Sequence, residues 1–196
     1  MQSRLQQIIG KHLDYFFGYG SLVNAKTHNY KETQKARLSG WRRMWRKTDM
    51  REAAFLTIVP DLNCELDGLV ARVAPEQWEE LRERELAYAQ LEARSQVTCD
   101  LSSDTSLAIF SIEDGKHFMP DDTSPVLLSY IDVVVQGYLE VFGRGGVERF
   151  FQTTDGWEAP VRDDRSTPIY RRHQQLDVTQ TDIVNAMLRN VGARFV

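Results

Sequence analysis

The chain has 196 residues, of which 42% are hydrophobic and 27% charged, and its formal net charge is -4. This length fits one domain that can bury a sizeable core without disulfides. The acidic balance argues against nucleic acid or an anionic membrane surface as the main partner.

Strand patterns dominate the first half of the chain. After a short helix at 3–9, strands are expected at 15–18, 35–48, 53–59, 66–73, 96–101 and 107–112. Pro60-Asp61 should end the strand at 53–59. The turn residues of 61–64 predict a hairpin between that strand and the next.

Helical patterns dominate the last third. Pro75 suits the first turn of a helix that runs to about Glu85 or beyond. Further helices are expected at 127–142, at 147–152 and at 182–190, with a polar loop over 153–168. Glycines at 143, 145, 146 and 192 should end helices. The strands lack a βαβ alternation. We therefore expect an α+β fold with a small, mainly antiparallel β-barrel, flanking helices and a C-terminal helical extension.

Metal and membrane signals are weak. Cys64 and Cys99 are expected to be free thiols in a reducing cytoplasm, although a lone bridge is an alternative. The four histidines are scattered without zinc-type spacing, so no metal site is predicted. No apolar stretch reaches the roughly 18 residues of a membrane helix, and the N-terminal residues carry no apolar signal core. These features predict a soluble cytoplasmic protein.

The segment YFFGYGSLVN, at 15–24, interrupts an apolar strand with Gly18-Tyr19-Gly20-Ser21. The glycines permit a positive φ or a close backbone approach. One interpretation is an ordinary turn at the end of a strand. The other is a nest of backbone N–H groups around an anion, with Ser21 donating a further hydrogen bond. The pattern is neither a P-loop nor a dinucleotide-binding glycine motif.

Glu85 differs from the other glutamates of the segment PEQWEELRERELAY. At about 100° per residue, a helix continuing through Tyr88 places Glu85 on the apolar face with Trp78 and Leu81. Four glutamates face water instead: Glu76, Glu79, Glu80 and Glu83. Glu85 is either an edge residue that reaches solvent or pairs with an arginine such as Arg82 or Arg84, or a partly desolvated general base with a raised pKa.

The segment WRRMWR, at 41–46, alternates aromatic and basic residues. It could bind RNA by stacking and charge. The alternative is a half-buried strand whose tryptophans, Trp41 and Trp45, pack inward while its arginines face solvent or acidic neighbours. The net charge of the chain favours the second interpretation.

FGYGSLV followed by LRERELAY resembles the gamma-glutamylcyclotransferase superfamily. Members carry a Tyr-Gly-Ser loop after the first strand and a later Leu-x-x-x-Glu motif, matched here by Leu81 and Glu85 and followed by Tyr88. The likeness is best over 15–112, and the segment 130–143 is similar to the helical part added in bacterial and ChaC-type members. It implies one domain over 1–196, with a core at about 13–115 and a mainly helical part at about 124–196.

The resemblance implies cyclisation of a small γ-glutamyl amine or peptide to 5-oxoproline, with release of the amine and no cofactor. Glu85 would be the general acid and base. Substrate-binding residues would be Tyr19, Gly20, Ser21, Leu22 and Tyr88, with Tyr170 as a further pocket tyrosine or a packing residue. The chain lacks the glycine-rich step after the glutamate and the His-Arg-Gly segment of the ChaC-type branch. It is therefore expected to be a bacterial member distinct from the glutathione-specific branch, and glutathione is not implied as substrate. A non-catalytic small-molecule binder on the same fold is the alternative.

Overall fold

The fold is known from a computed structural model, which describes residues 13–196. The helix expected at 3–9 lies outside these residues. The strands within them are β1 (Tyr15–Gly18), β2 (Lys31–Arg46), β3 (Phe55–Arg72), β4 (Ala89–Glu92), β5 (Val97–Thr98), β6 (Leu107–Ser111), β7 (Val126–Leu127), β8 (Thr154–Asp155), β9 (Pro160–Arg162) and β10 (Arg194–Phe195). The α-helices are α1 (Trp78–Arg84), α2 (Leu128–Gln152) and α3 (Val178–Asn190).

The main sheet has the order β4-β6-β1-β3-β2-β5, with β8 added beside β2. Most of its pairs are antiparallel; β1 with β6 and β2 with β8 are parallel. The sheet curls into a half-barrel that the helices flank, and β7, β9 and β10 form a second, small sheet. The expected fold class is confirmed, with the barrel closed only halfway.

The ribbon of β2 and β3 corrects the expected hairpin at 61–64. The strand β3 does not end at Pro60 but runs through it opposite β2. The register shifts between Ser39 and Trp41, so that the extra residues of β3 bulge out and leave Leu62 93% exposed. The turn chemistry is real, since the Asn63 N–H donates to Asp61 Oδ1 at 3.0 Å. It makes a bulge rather than a chain reversal.

The first helix is shorter than expected. A 3-10 turn at Pro75–Gln77 leads into α1, which ends at Arg84, so Glu85 is its C-cap residue with φ -99° and ψ 24°. The four glutamates expected to face water are exposed. The strand β4, which follows shortly after α1, has no counterpart among the expected elements.

The C-terminal part contains two of the helices. The long helix α2 covers both segments expected at 127–142 and 147–152, and it is interrupted at Gly143, whose φ of 69° only glycine adopts readily. The helix α3 begins four residues earlier than expected, with Asp177 as its N-cap, and Gly192 follows its end. The expected polar loop at 153–168 instead contains β8 and β9.

The WRRMWR segment packs into the core. Trp41 and Trp45 are buried as expected, which removes the aromatic faces that RNA would need for stacking. The expectation for the arginines is wrong at Arg43, which is 0% exposed on the same face of β2 as the tryptophans. Its neighbour Arg42 behaves as expected and pairs with Asp61 at 2.8 Å.

Two further findings concern thiols and membranes. Cys64 and Cys99 are both free thiols. Over residues 13–196, the helices are all too short or too polar to cross a bilayer.

Candidate active site

A pocket opens where β1 ends, between the half-barrel and α1. Its lining includes Glu85 and the five predicted substrate-binding residues; Tyr170 is not among the lining residues but bonds one of them, Ser21. The lining residues are Phe17, Gly18, Tyr19, Gly20, Ser21, Leu22, Leu56, Glu85, Tyr88, Phe110 and Tyr130.

The loop after β1 turns at once into a 3-10 helix, Ser21–Val23. Its closing bonds run from the Val23 N–H to the Gly20 carbonyl at 3.0 Å and from the Asn24 N–H to the Ser21 carbonyl at 3.1 Å. The N–H groups of Ser21 and Leu22 have no acceptor among the described residues, as is usual for the first amides of a helical turn. Two backbone donors are therefore free at the wall of the pocket.

The glycines serve a close approach rather than a left-handed backbone. Neither Gly18 nor Gly20 has a positive φ. A Cβ added to Gly18 would lie 2.7 Å from the Cβ of Leu22, and one added to Gly20 would lie 2.9 Å from the Tyr130 hydroxyl. The tyrosine can reach the loop because Gly20 has no side chain.

A buried arginine fixes the Tyr19 backbone. Arg43 Nε donates to the Tyr19 carbonyl at 2.9 Å, and the Tyr138 hydroxyl donates to the same oxygen at 3.0 Å. The guanidinium also bonds the carbonyl of Asp67 and the hydroxyls of Tyr138 and Thr153. These bonds satisfy a charge that would otherwise be costly to bury.

Ser21 connects the loop to two other parts of the chain. Its Oγ accepts hydrogen bonds from Arg84 Nη2 at 3.1 Å and from the Tyr170 hydroxyl at 2.9 Å. Because a serine hydroxyl has two acceptor positions and one hydrogen, its own hydrogen is left to donate. Arg84 also donates to the Thr27 carbonyl at 3.1 Å, which ties α1 to the loop.

Glu85 reaches the pocket because α1 ends just before it. The expected helix through Tyr88 is wrong: the Tyr88 N–H donates to the Glu85 carbonyl at 2.8 Å in a turn beyond the helix. The Glu85 side chain is 15% exposed, and its carboxylate lies 3.5 Å from Arg84 Nε. Glu85 is therefore both paired with an arginine and placed on an inner face, so each of the two interpretations holds in part.

Burial raises the pKa of Glu85, against the charges of Arg84, Arg51 and Arg172, which lower it. Desolvation disfavours the ionised form, whereas the cations favour it. The outcome is a carboxyl group that holds a proton more tightly than an ordinary glutamate. This is the property expected of a residue that both accepts and returns a proton near neutral pH.

The hydroxyls of the two tyrosines predicted from the sequence, Tyr19 and Tyr88, donate hydrogen bonds to backbone carbonyls. The Tyr19 hydroxyl donates to the Phe110 carbonyl at 2.6 Å, and the Tyr88 hydroxyl donates to the Leu56 carbonyl at 2.6 Å. Burial first, and then the nearby Glu85 carboxylate, raises the pKa of Tyr88. Both rings form pocket walls that are anchored to strands.

Two residues outside the sequence-predicted set contribute to the site. The Tyr130 hydroxyl enters the pocket without a partner in the described part of the chain. Arg84 links Glu85 to Ser21. The Tyr130 ring packs on Tyr170 with centroids 4.9 Å apart. No local signal distinguishes Tyr130 in an apolar helix, although it opens the segment 130–143 that resembles the superfamily.

The comparison with known families decides the membership of the chain. The family model described as ChaC-like protein matches residues 15–137, more than half of the chain. The chain belongs to the ChaC-like family. Its separation from the glutathione-specific branch stays a prediction.

Two solved structures share the fold of this ChaC-like chain. A gamma-glutamyl cyclotransferase has a TM-score of 0.56 at 13% identity, covering 88% of this chain and 98% of the other. The human uncharacterized protein loc79017 has a TM-score of 0.52 at 15% identity, with the same coverage. No curated protein matches the chain. At these identities the likeness concerns the fold.

Within residues 13–196, no group of three or more His, Cys, Asp or Glu side chains is arranged to hold a metal ion. The pocket itself presents a carboxyl group, hydroxyls and backbone donors.

Proposed function

We propose that this ChaC-like protein is a γ-glutamyl cyclotransferase. Its substrate would be a small γ-glutamyl amine or peptide, and its products 5-oxoproline and the free amine. The supporting observation is that Glu85, with its raised pKa, shares one pocket with the loop Tyr19–Leu22 and its two free amides.

In the proposed reaction the α-amine nitrogen of the γ-glutamyl group attacks its own γ-carbonyl carbon. A new C–N bond closes the five-membered ring, and the nitrogen gives its proton to the Glu85 carboxylate. The tetrahedral intermediate then breaks its bond to the leaving nitrogen, which receives that proton from Glu85. The carboxylate is restored, so one residue serves as base and then as acid.

The loop would bind the charged oxygens of the substrate. The γ-carbonyl oxygen gains negative charge as the ring closes, and preorganised N–H donors stabilise that charge. The free amides of Ser21 and Leu22, with the Ser21 hydroxyl, suit this role and recognition of the α-carboxylate. The close walls of Tyr19, Tyr88 and Tyr130 would hold the substrate curled, so that its amine meets its own carbonyl.

The same contacts support a wider proposal about the chain. Tyr170 from the C-terminal part bonds Ser21 from the loop, 149 residues away. We therefore propose that residues 1–196 act as one domain, with a core at about 13–115 and a mainly helical part at about 124–196. Two free cysteines are consistent with a cytoplasmic location.

A screen of γ-glutamyl compounds tests the proposed activity. The panel contains γ-glutamyl amino acids, γ-glutamyl amines and glutathione, with 5-oxoproline detected by mass spectrometry. The proposal predicts 5-oxoproline and an equal amount of free amine from at least one class. Binding of the same compounds without any 5-oxoproline would favour the alternative, a non-catalytic binder.

The contact between Glu85 and Arg84 is the observation that favours this alternative. A cation 3.5 Å away favours the ionised carboxylate, the form that a simple countercharge for a bound α-amine needs. The enzyme accounts better for the raised pKa, because a permanent countercharge gains nothing from holding a proton.

A further inference from the structure

A groove adjoins the pocket on the side of α1 and the C-terminal part. We call it the arginine groove and define it by Arg51, Phe55, Arg84, Ile169, Tyr170 and Arg172. Three of its residues contact residues of the pocket: Arg84 and Tyr170 both bond Ser21, and the Arg51 guanidinium lies 5.7 Å from the ring centre of Tyr88. A substrate whose γ-glutamyl half fills the pocket would extend its leaving half along this groove.

The charged residues that line the groove differ in how far they are buried. Arg84 is 7% exposed, and Arg51 and Arg172 are half-buried. The negative residues that also line it are exposed, as is Arg171; they are Glu52, Glu80 and Glu83. The inner wall is therefore positive, and the acidic side chains face solvent.

Two of the arginines are not neutralised. Arg51 stacks on Phe55 at 4.9 Å and donates to the Arg84 carbonyl at 2.9 Å, which fixes its position without pairing its charge. Within 4.0 Å, no described carboxylate pairs with Arg51 or Arg172. Arg172 follows Tyr170 in a turn closed by the His173 N–H on the Tyr170 carbonyl at 2.9 Å. The charges of both arginines lower the pKa of the Glu85 carboxyl.

Half-buried cations without partners are costly unless an anion meets them. We propose that Arg172, together with Arg51, binds a carboxylate on the leaving half of the substrate. Arg172 is then a specificity-determining residue: substrates that release an amino acid or a peptide are preferred over those that release a neutral or cationic amine. This inference rests on the proposed cyclotransferase activity.

Three substrates that differ only in the leaving half test the inference. They are γ-glutamyl-alanine, γ-glutamyl-ethylamide, which lacks the carboxylate, and γ-glutamyl-1,4-diaminobutane, which ends in a cation. In the pH-independent range, kcat/KM should be at least about ten-fold higher for the alanine compound than for the ethylamide, the value of one charge-assisted hydrogen bond. The diaminobutane compound should be the poorest of the three.

The variant Arg172→Gln tests which half of the substrate this arginine binds. In the pH-independent range it should lower kcat/KM about ten-fold more for γ-glutamyl-alanine than for γ-glutamyl-ethylamide. The matched control is Arg82→Gln, which removes a charge from the exposed face of α1, where Arg82 pairs with Glu79 at 3.3 Å. The control should leave the ratio of the two substrates unaltered.

The outcomes are distinct. Equal losses for both substrates in Arg172→Gln would overturn the inference, because the arginine would then serve the shared γ-glutamyl half. Preference of the wild type for the ethylamide or the diaminobutane compound would also overturn it. Absence of 5-oxoproline from all three would overturn the proposed function, and this inference with it.

Discussion

Glu85 combines burial with a nearby cation, and this combination affects stability as well as chemistry. Its folded-state pKa is raised above the ordinary value of 4.5, with burial as the first cause. A group of this kind favours folding below its unfolded pKa, and this contribution is lost as the pH rises through the folded pKa. At neutral pH the buried carboxylate therefore costs folding free energy.

Glu85→Gln removes that cost, because the amide is uncharged at every pH. The variant should have a higher free energy of unfolding than the wild type at neutral pH, and the difference should shrink as the pH falls toward the ordinary glutamate value. Urea denaturation across pH measures this. The matched variant Glu83→Gln alters an exposed residue, and its free energy of unfolding should stay within about 0.5 kcal/mol of the wild-type value. A Glu85→Gln variant less stable than the wild type at neutral pH would contradict the account.

Arg43 shows what a sequence pattern conceals. Alternation along β2 places Arg43 on the same face as Trp41 and Trp45, whereas its charge led to the prediction that it faces solvent. The structure buries it because the carbonyls of Tyr19 and Asp67 and the hydroxyl of Tyr138 accept its hydrogen bonds. Tyr138 is 95 residues away in the chain, so these partners could not be assigned before the fold was known.

Arg43→Met should lower the free energy of unfolding by about 3 kcal/mol, because the substitution leaves several buried acceptors unpaired. The control is Arg72→Met on β3, where the exposed arginine pairs with the exposed Glu32 at 2.7 Å and a loss below about 1 kcal/mol is expected. Urea denaturation gives both values. Equal losses in the two variants would contradict a special role for Arg43.

At the scale of elements, two connections make the site: the loop after β1 and the turn between α1 and β4. The loop after β1 was predicted from its glycines, and α1 from Pro75 and its amphipathic face. The boundary of α1 could not be predicted, because nothing local in LRERELAY stops a helix at Arg84. The stop coincides with bonds from Arg84 to Thr27 and from Tyr88 to Leu56, which are tertiary contacts. The inward face of Glu85 was thus predicted correctly, but from a helix that ends before it.

The contact between Gly20 and Tyr130 can be tested as a pair. Gly20→Ala places a Cβ 2.9 Å from the Tyr130 hydroxyl, which should cost about 1–3 kcal/mol as overpacking. Tyr130→Phe removes the oxygen that the Cβ meets. In that background Gly20→Ala should therefore cost clearly less, as measured by thermal or urea denaturation of the four proteins. Strictly additive losses would show that the two residues do not meet in this way.

At the scale of the whole molecule, the fold class followed from the order of strand and helix patterns, whereas the topology did not. The bulge in β3 resembled a hairpin turn because Asp61 and Asn63 have the same local chemistry in both. Only pairing with the full length of β2 distinguishes them. Likewise, Tyr170 and Arg172 reach the site from the C-terminal part through a long-range contact with Ser21 that no local pattern encodes.

The whole arrangement converges on Glu85 and the loop Tyr19–Leu22, so the most direct test compares two glutamates of one segment. Wild type, Glu85→Gln and Glu83→Gln are assayed for 5-oxoproline from the best γ-glutamyl substrate of the screen, with folding checked by circular dichroism. The account predicts that Glu85→Gln loses about a hundredfold or more of kcat, as expected for a general acid and base, while Glu83→Gln keeps wild-type turnover. A folded Glu85→Gln protein that forms 5-oxoproline at the wild-type rate would contradict it.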